Sequence, residues 1–342
     1  MSDILDHEEI RSRILAISDD VDKSMQQHLK DDQLGNIVNI LMYDQHHPGK
    51  RLRPALASFV SETLGGNYQE TIDIATACEL LHSASLMLDD IIDDDKTRRG
   101  NPAAHTVFGS GMTLMGTYIY ALVGIELGIV RSQELGKLLV NVIRRLVIGS
   151  AEEFTWTDWD ETSYMRIIGN KTASLFEAPC EIGVIVSGAL QHRDLARRYG
   201  NALGMMYQLC DDYVDIAKSI RLSEPIGDIK ERVTTLPILH CYTATGKPEI
   251  RMLLDLYRKK TELPDSHLRL ILYEMEACKS LEFLLDAINK YRATAESLAS
   301  LFPIYNRLSI SGAHPRDYLV AMPGFLFNAQ MDEIEMPDLT GP

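Results

Sequence analysis

The stretch Leu86-Met87-Leu88-Asp89-Asp90-Ile91-Ile92-Asp93-Asp94-Asp95 decides how this chain is read. Five carboxylates fall within seven residues, directly behind an apolar run. As a helix, the run places Asp89 and Asp93 one turn apart on one face. Carboxylates that close repel one another at neutral pH, so the stretch calls for cations. The pattern returns far downstream in Gln208-Leu209-Cys210-Asp211-Asp212-Tyr213-Val214-Asp215, again after an apolar run. One acidic run is ordinarily a solvated helix face. Two runs with the same Asp-Asp-x-x-Asp spacing, each delivered by an apolar segment, are hard to explain that way. On facing helices they would form a cage of oxygen ligands suited to magnesium, a hard ion that keeps waters and bridges carboxylates to phosphate oxygens.

Cations stand beside these acids. Gly49-Lys50-Arg51-Leu52-Arg53-Pro54 sets three cations within four residues, and Pro54 suits the first turn of a following helix. Cations there oppose the helix dipole unless an anion binds, in which case backbone N–H groups and cations share it. Thr97-Arg98-Arg99-Gly100 follows the first acidic cluster immediately. Its arginines either neutralise the aspartates or grip the free oxygens of a polyanion held from the other side. His82 lies two turns before Asp89 on the same face, as a satisfied core histidine or as a ligand.

A formal net charge of −15 argues against nucleic acid as the main partner. The hydrophobic fraction of 45% marks a globular chain with a sizeable core. Five scattered cysteines, with no CxxC pair, read as reduced core thiols of a cytoplasmic protein. The acidic N-terminus carries no apolar signal core. Residues 112–130 are long and apolar enough for a membrane span; Glu126, the glycines and two tyrosines favour a helix buried in a large core, without stable membrane insertion. Helical spacing covers 8–30, 32–44, 54–64, 71–92, 112–127, 132–154, 163–187, 194–218, 235–245, 249–259 and 266–301, and sustained period-two alternation is almost absent. Breakers mark loops at His47-Pro48-Gly49, 100–102 and 223–232. A tail over 312–342, with Pro315, Pro323, Pro337 and Pro342, reads as irregular. No linker divides the chain, so residues 1–342 are expected to form a single all-α domain of ten or more helices.

Taken in order, Gly49-Lys50-Arg51-Leu52-Arg53-Pro54, Leu81-His82 with Ser85-Leu86, Asp89-Asp90-x-x-Asp93, Arg98-Arg99-Gly100, Lys171-Thr172, Gln208 and Asp211-Asp212-x-x-Asp215 resemble the motif set of the trans-type (head-to-tail) prenyl diphosphate synthases, over about residues 40–240. The resemblance implies a single large helical bundle of the isoprenoid synthase type around a deep apolar cavity, working as a homodimer. It implies a prenyltransferase that joins isopentenyl diphosphate to an allylic diphosphate, five carbons at a time. Asp89, Asp93 and Asp211 would bind three magnesium ions holding the allylic diphosphate, with Asp90, Asp212 and Asp215 supporting that metal shell. Arg98, Lys171 and Gln208 would hold the same diphosphate. Lys50, Arg53, His82 and Arg99 would bind isopentenyl diphosphate, and Arg51 has a less clear, structural place. Ionisation of the allylic C–O bond gives a carbocation and pyrophosphate. Magnesium and arginine would stabilise the leaving group, Thr172 and the Lys171 carbonyl the cation, and the released pyrophosphate would take the final proton.

The pattern is departed from in places. Leu88 stands where a histidine often precedes the first Asp-Asp, Tyr207 where phenylalanine usually precedes the glutamine, and Thr117 where many members carry aspartate. Arg232-Val233 replaces a Gly-Lys pair, so a phosphate-binding lysine is missing and Lys230 or Arg232 is the expected substitute. In the resembled family the residues four and five before the first Asp-Asp line the tail pocket, and aromatics there stop growth at fifteen carbons. Here they are Ser85 and Ala84, with Leu81 and then Cys78 and Ala77 in the next layers, and Met115, Tyr118, Ile119 and Phe176 expected at the floor. The expectation is an all-trans product longer than fifteen carbons, of twenty to twenty-five. The rival readings are a subunit of a heteromeric synthase, a class I terpene cyclase and a calcium-binding or structural helical protein, the last leaving the matching arginines and lysines unexplained. Both acidic motifs and the Gly-Lys-Arg stretch are intact, which speaks against the first two.

Overall fold

The computed structural model describes residues 5–30, 34–47, 49–156, 159–304 and 313–334. Sixteen α-helices follow one another among them: α1 (His7–His28), α2 (Ile37–Gln45), α3 (Leu52–Thr63), α4 (Tyr68–Ile92), α5 (Ala104–Phe108), α6 (Ser110–Arg131), α7 (Gln133–Thr155), α8 (Glu161–Ile168), α9 (Ser174–Ser187), α10 (Arg193–Leu222), α11 (Gly227–Glu231), α12 (Leu236–Ala244), α13 (Pro248–Arg258), α14 (Asp265–Ala277), α15 (Ser280–Ser300) and α16 (Pro315–Met331). The fold is an all-α bundle of the isoprenoid synthase type. Helix starts follow local chemistry. Asp6 and Glu9 form a reciprocal capping box on α1, and Asn67 accepts the Glu70 N–H at the start of α4. The helices α4 and α10, which carry the two acidic motifs, are central: α4 packs on α3, α6 and α9, and α10 on α9, α15 and α16.

Several expectations change. The tail is not irregular over Pro315–Met331, which is helical. Pro315 sits in the first turn, where its missing N–H costs nothing, and burial of Tyr318, Leu319, Met322 and Leu326 offsets the interior Pro323. Pro337 and Pro342 lie outside the described residues, as do Pro48 and residues 31–33. The 266–301 run divides at Cys278-Lys279, where Lys279 takes φ 59°. The 163–187 run is interrupted by a π-helical turn, Gly169–Ala173. The loop at 100–102 belongs to a tiny hairpin in which Thr97–Arg98 pairs with Asn101–Pro102. Residues 8–30, whose polar spacing reads as a surface helix, bury Ile10, Ile14, Ile17 and Val21 of α1.

Helix α6 departs most. By length and composition it could cross a membrane, but only 28% of its most apolar window is buried. Gly116, Tyr120 and Gly124 face inward. Met112, Met115, Tyr118, Leu122, Ile129 and Val130 face out. The helix is therefore not enclosed by this chain's own core.

Arg51 is structural. It opens α3 in the left-handed region at φ 48°, and its buried guanidinium bridges Glu79 at 2.7 Å and Asp22 at 2.8 Å. Glu79 is itself 1% exposed, so the pair ties α3 to α4. Replacing Glu79 with alanine would leave the buried Arg51 guanidinium with Asp22 alone. A loss of about 3 kcal/mol in urea-unfolding free energy is expected, the low end for breaking one partner of a buried pair.

Candidate active site

The site gathers at the C-terminal end of α4 and in the C-terminal half of α10. Asp89 and Asp90 close α4, Asp93 is its C-cap, and Asp211, Asp212 and Asp215 lie inside α10. The two sets face a common space: Glu231, at the end of α11, feels the charge of Asp93 and Asp95 from one side and Asp215 from the other. Asp228 joins them, its backbone N–H donating to Asp215 at 3.0 Å. The carboxyls are held high. Burial first, then Asp93 and Glu153, push Asp89 up to about 6 against the opposing pull of Lys171. Asp211 keeps an exposed edge, yet the protein packed around its carboxyl, and then Asp212 and Asp215, push it up to about 7. Burial likewise raises Asp93, Asp228 and Glu231. Uncompensated carboxylates of this kind fit a hard divalent cation. Among the described residues no three His, Cys, Asp or Glu side chains close around one point.

The six aspartates are not equivalent. Asp90 is 3% exposed and accepts Arg98 Nε at 2.7 Å. Asp212 is 2% exposed; it accepts Gln208 Nε2 at 3.0 Å and the Tyr164 hydroxyl. Both are engaged by side chains within the protein, whereas Asp89, Asp93 and Asp211, together with Asp215, which accepts the Asp228 N–H, are the motif carboxylates that could reach a metal.

Local backbone geometry separates the two arginines of the hairpin. Arg99 and Gly100 form its two-residue turn, with φ of 54° and 75°, the positive pair that matches the twist of hairpin strands. Arg98 turns back to Asp90 and Asp95. Arg99 turns to the other side, donating to the His47 carbonyl at 2.8 Å and lying against Gly49. There it meets Arg53 and His82. Burial, then Arg53 and Arg99, hold His82 well below its usual range, so it is neutral. Its buried Nδ1 and the buried Arg53 Nε have no protein partner, and the Arg53 guanidinium stacks on Phe176 at 5.2 Å. Buried, unpartnered polar atoms beside two arginines fit an anionic ligand. Lys50 reaches Glu333 at 3.0 Å from the same region.

Lys171 and Thr172 ride on the π turn. Such turns expose backbone that an α-helix would consume. Arg145, which no sequence motif marked, holds this one: it donates to the Gly169 carbonyl at 2.7 Å, to Asn170 and to Glu177. Gly204 of α10 lets the turn approach, since a Cβ there would stand 2.5 Å from Ala173 Cα. Lys171 pairs with Glu153 and lies beside Asp89 and Asp93. Thr172 donates to Gln208 Oε1 at 2.6 Å. One turn thus links the two acidic motifs. Glu153, Arg145 and Tyr164 were all missed by sequence reading, because each meets its partner only through packing.

Elsewhere expectations divide. Lys230 points to Asp265 on the surface; Arg232 remains nearer the loop, with a buried, unpartnered Nε. Lys260 instead lends charge toward Asp93 and Glu231. Thr117 donates to Thr113 of its own helix. Ala84, Leu81 and Cys78 are buried and Ser85 half-buried, and Leu81 and Cys78 lie in an apolar cluster with Leu135, Leu139 and Leu175. Met115 and Tyr118 are 47% and 62% exposed, so neither closes the floor. Phe176 is buried, but under Arg53 and against Tyr207.

Comparison with known proteins gives the family and the fold. The polyprenyl synthetase family matches residues 35–273. The octaprenyl diphosphate synthase of Escherichia coli is 33% identical over 244 residues, covering 69% of this chain and 74% of that protein. The geranylfarnesyl diphosphate synthase of Methanosarcina mazei is 33% identical over 217 residues, covering 61% and 71%. The crystal structure of a decaprenyl diphosphate synthase from Rhodobacter capsulatus superposes with a TM-score of 0.85 at 22% identity, covering 95% of this chain and 99% of that one. The chain belongs to the polyprenyl synthetase family, the trans-type prenyl diphosphate synthases. At that level it is a trans-prenyltransferase that makes a polyprenyl diphosphate.

A pH effect follows from the raised carboxyls. In the folded state Asp211 keeps its proton up to about 7, whereas unfolded it loses it near 3.8. Between those values the folded state binds more protons, so Asp211 costs stability as pH rises through that window. Without metal, Asp211→Asn is expected to raise the melting temperature more at pH 7.5 than at pH 4.5. Magnesium with pyrophosphate is expected to stabilise the parent and to stabilise the variant far less. Thermal scans at both pH values check this.

Proposed function

We propose that this enzyme condenses isopentenyl diphosphate with allylic prenyl diphosphates, with magnesium, to an all-trans product of twenty to twenty-five carbons. The observation that carries the reading is the π turn at Gly169–Ala173, which brings Lys171 to Asp89 and Asp93 and Thr172 to Gln208. Asp89 and Asp93 on one side, with Asp211 and Asp215 on the other, would hold magnesium, three ions by resemblance to the family. When bound, the metal supplies positive charge to the departing diphosphate. Lys171, swung from Glu153, neutralises the same leaving group. Arg98, held by Asp90 and Asp95, would offer its remaining N–H group to the same oxygens. Arg53, Arg99, Lys50 and neutral His82 receive the isopentenyl diphosphate. Thr172 faces the cation, and pyrophosphate takes the proton lost after attack.

The length reading rests on Ala84 and Ser85. Both side chains are small, and the tail would run from them past Leu81 toward Cys78. Gly124 of α6 sets the back of this layer, since a Cβ there would stand 3.1 Å from Leu81 Cδ2. With ten-, fifteen- and twenty-carbon primers, mass spectrometry of the product should show one dominant species above fifteen carbons, and Ala84→Phe should shorten it. A fifteen-carbon stop in the parent would refute the length. No condensation with any primer would refute the homomeric enzyme and favour a heteromeric subunit.

The enzyme acts as a homodimer in a reducing cytoplasm, on our reading. The outward apolar face of α6, continued by Val140, Val147 and Ile148 of α7, is the surface a second copy would cover. All five cysteines are free thiols. Leu122→Glu is expected to shift sedimentation from dimer toward monomer.

A further inference from the structure

Tyr164 belongs to none of the motifs, yet it is 4% exposed and its hydroxyl donates to Asp212 Oδ2. The other oxygen of Asp212 accepts Gln208 Nε2 at 3.0 Å, and Gln208 Oε1 accepts Thr172 Oγ1 at 2.6 Å. Four side chains from α8, the π turn and α10 therefore form one line of hydrogen bonds.

Its polarity follows from one member. An ionised carboxylate offers acceptors only. Tyr164 must donate to it, and Gln208 must turn its amide NH2 toward it. The amide carbonyl then faces Thr172. A carbonyl cannot donate, so the threonine hydrogen is committed to it. What Thr172 Oγ1 retains for the cleft is its lone pairs. Lone pairs repel a diphosphate oxygen and attract an electron-poor carbon. The hydroxyl orientation therefore distinguishes a group that grips the leaving anion from one that faces the cation left behind.

We infer that Tyr164 is a positioning residue: through Asp212 and Gln208 it fixes the Thr172 hydroxyl so that its lone pairs meet the allylic carbon as positive charge develops there. This rests on the prenyl transfer proposed above. Without the Tyr164 hydroxyl, Asp212 loses one of its two side-chain donors, its carboxylate is free to turn away, and the Gln208 amide loses the acceptor that holds it in one sense. A flipped amide would present NH2 to Thr172 and free the threonine hydrogen to point into the cleft.

The test is Tyr164→Phe, which keeps the ring beside Trp156 and removes one hydrogen bond to a charged group. Such a bond corresponds to about ten- to hundredfold in rate. Turnover should fall by about that factor, with KM for both substrates within about threefold of the parent. The decisive readout is electronic. Placing fluorine on the methyl group at the cationic carbon slows ionisation, and the variant should be slowed by a larger factor than the parent. In a Thr172→Val background Tyr164→Phe should cost little more, because the group it positions is gone. An unchanged fluorine effect, a fully additive loss or turnover within twofold of the parent would overturn the inference. Should Tyr164→Phe fail to fold, Asp212→Asn reverses the same line, since the Tyr164 hydroxyl would hold the new amide oxygen and its NH2 would turn the Gln208 carbonyl away from Thr172. The same increased fluorine sensitivity is expected, and its absence would overturn the inference. A parent that condenses no allylic diphosphate would instead overturn the proposed function.

Discussion

Negative charge held without enough counter-charge is the constraint on which this structure turns. Carboxylates from α4, α10 and α11 meet at one end of the bundle, where protein packed around them weakens their solvation. A fold can keep such groups only if the rest of it is strong enough to bear the repulsion. The apolar contacts of α4 and α10 with α3, α6, α9 and α15 supply that strength. The same repulsion makes the site receptive to divalent cations and their phosphate partners. Instability at the site and its affinity have one cause.

The protein divides its charged groups between holding and binding. Arg51 with Glu79, Arg145 with Glu177 and Asp212 with Tyr164 are satisfied from within and fix the backbone. Arg53 and His82 keep buried polar atoms without protein partners. Neighbours in sequence can fall in opposite groups. Arg98 and Arg99 do so because the hairpin turn sends successive side chains to different sides, and Asp211 and Asp212 do so because consecutive helical residues point about 100° apart.

Much of this was legible in the chain. The Asp-Asp-x-x-Asp spacing is a helical spacing, so the carboxylates had to share a face. The apolar periodicity of the segments leading to them excluded sheet. Order and type of the cationic motifs marked the family. Less legible were features whose signal is ambiguous in one dimension. Pro315 and Pro323 read as breakers, but one sits where a helix tolerates proline and the other is outweighed by packing. The apolar run of α6 reads equally as core, span or interface, because hydropathy reports a preference for burial and not what provides it.

By itself the sequence determined the all-α class, the two acidic motifs and the family, since these rest on local periodicity and on residue types at set spacings. Only the tertiary structure decided which aspartates are committed within the protein, where the π turn sets Lys171 and Thr172, and that Glu153, Arg145 and Tyr164 belong to the site. Tyr164 and Asp212 are 48 residues apart, and Arg145 reaches a carbonyl 24 residues away. Pairings of that range carry no local pattern. They arise because packing the helices at close quarters, as at Gly204, sets which buried polar groups meet a partner.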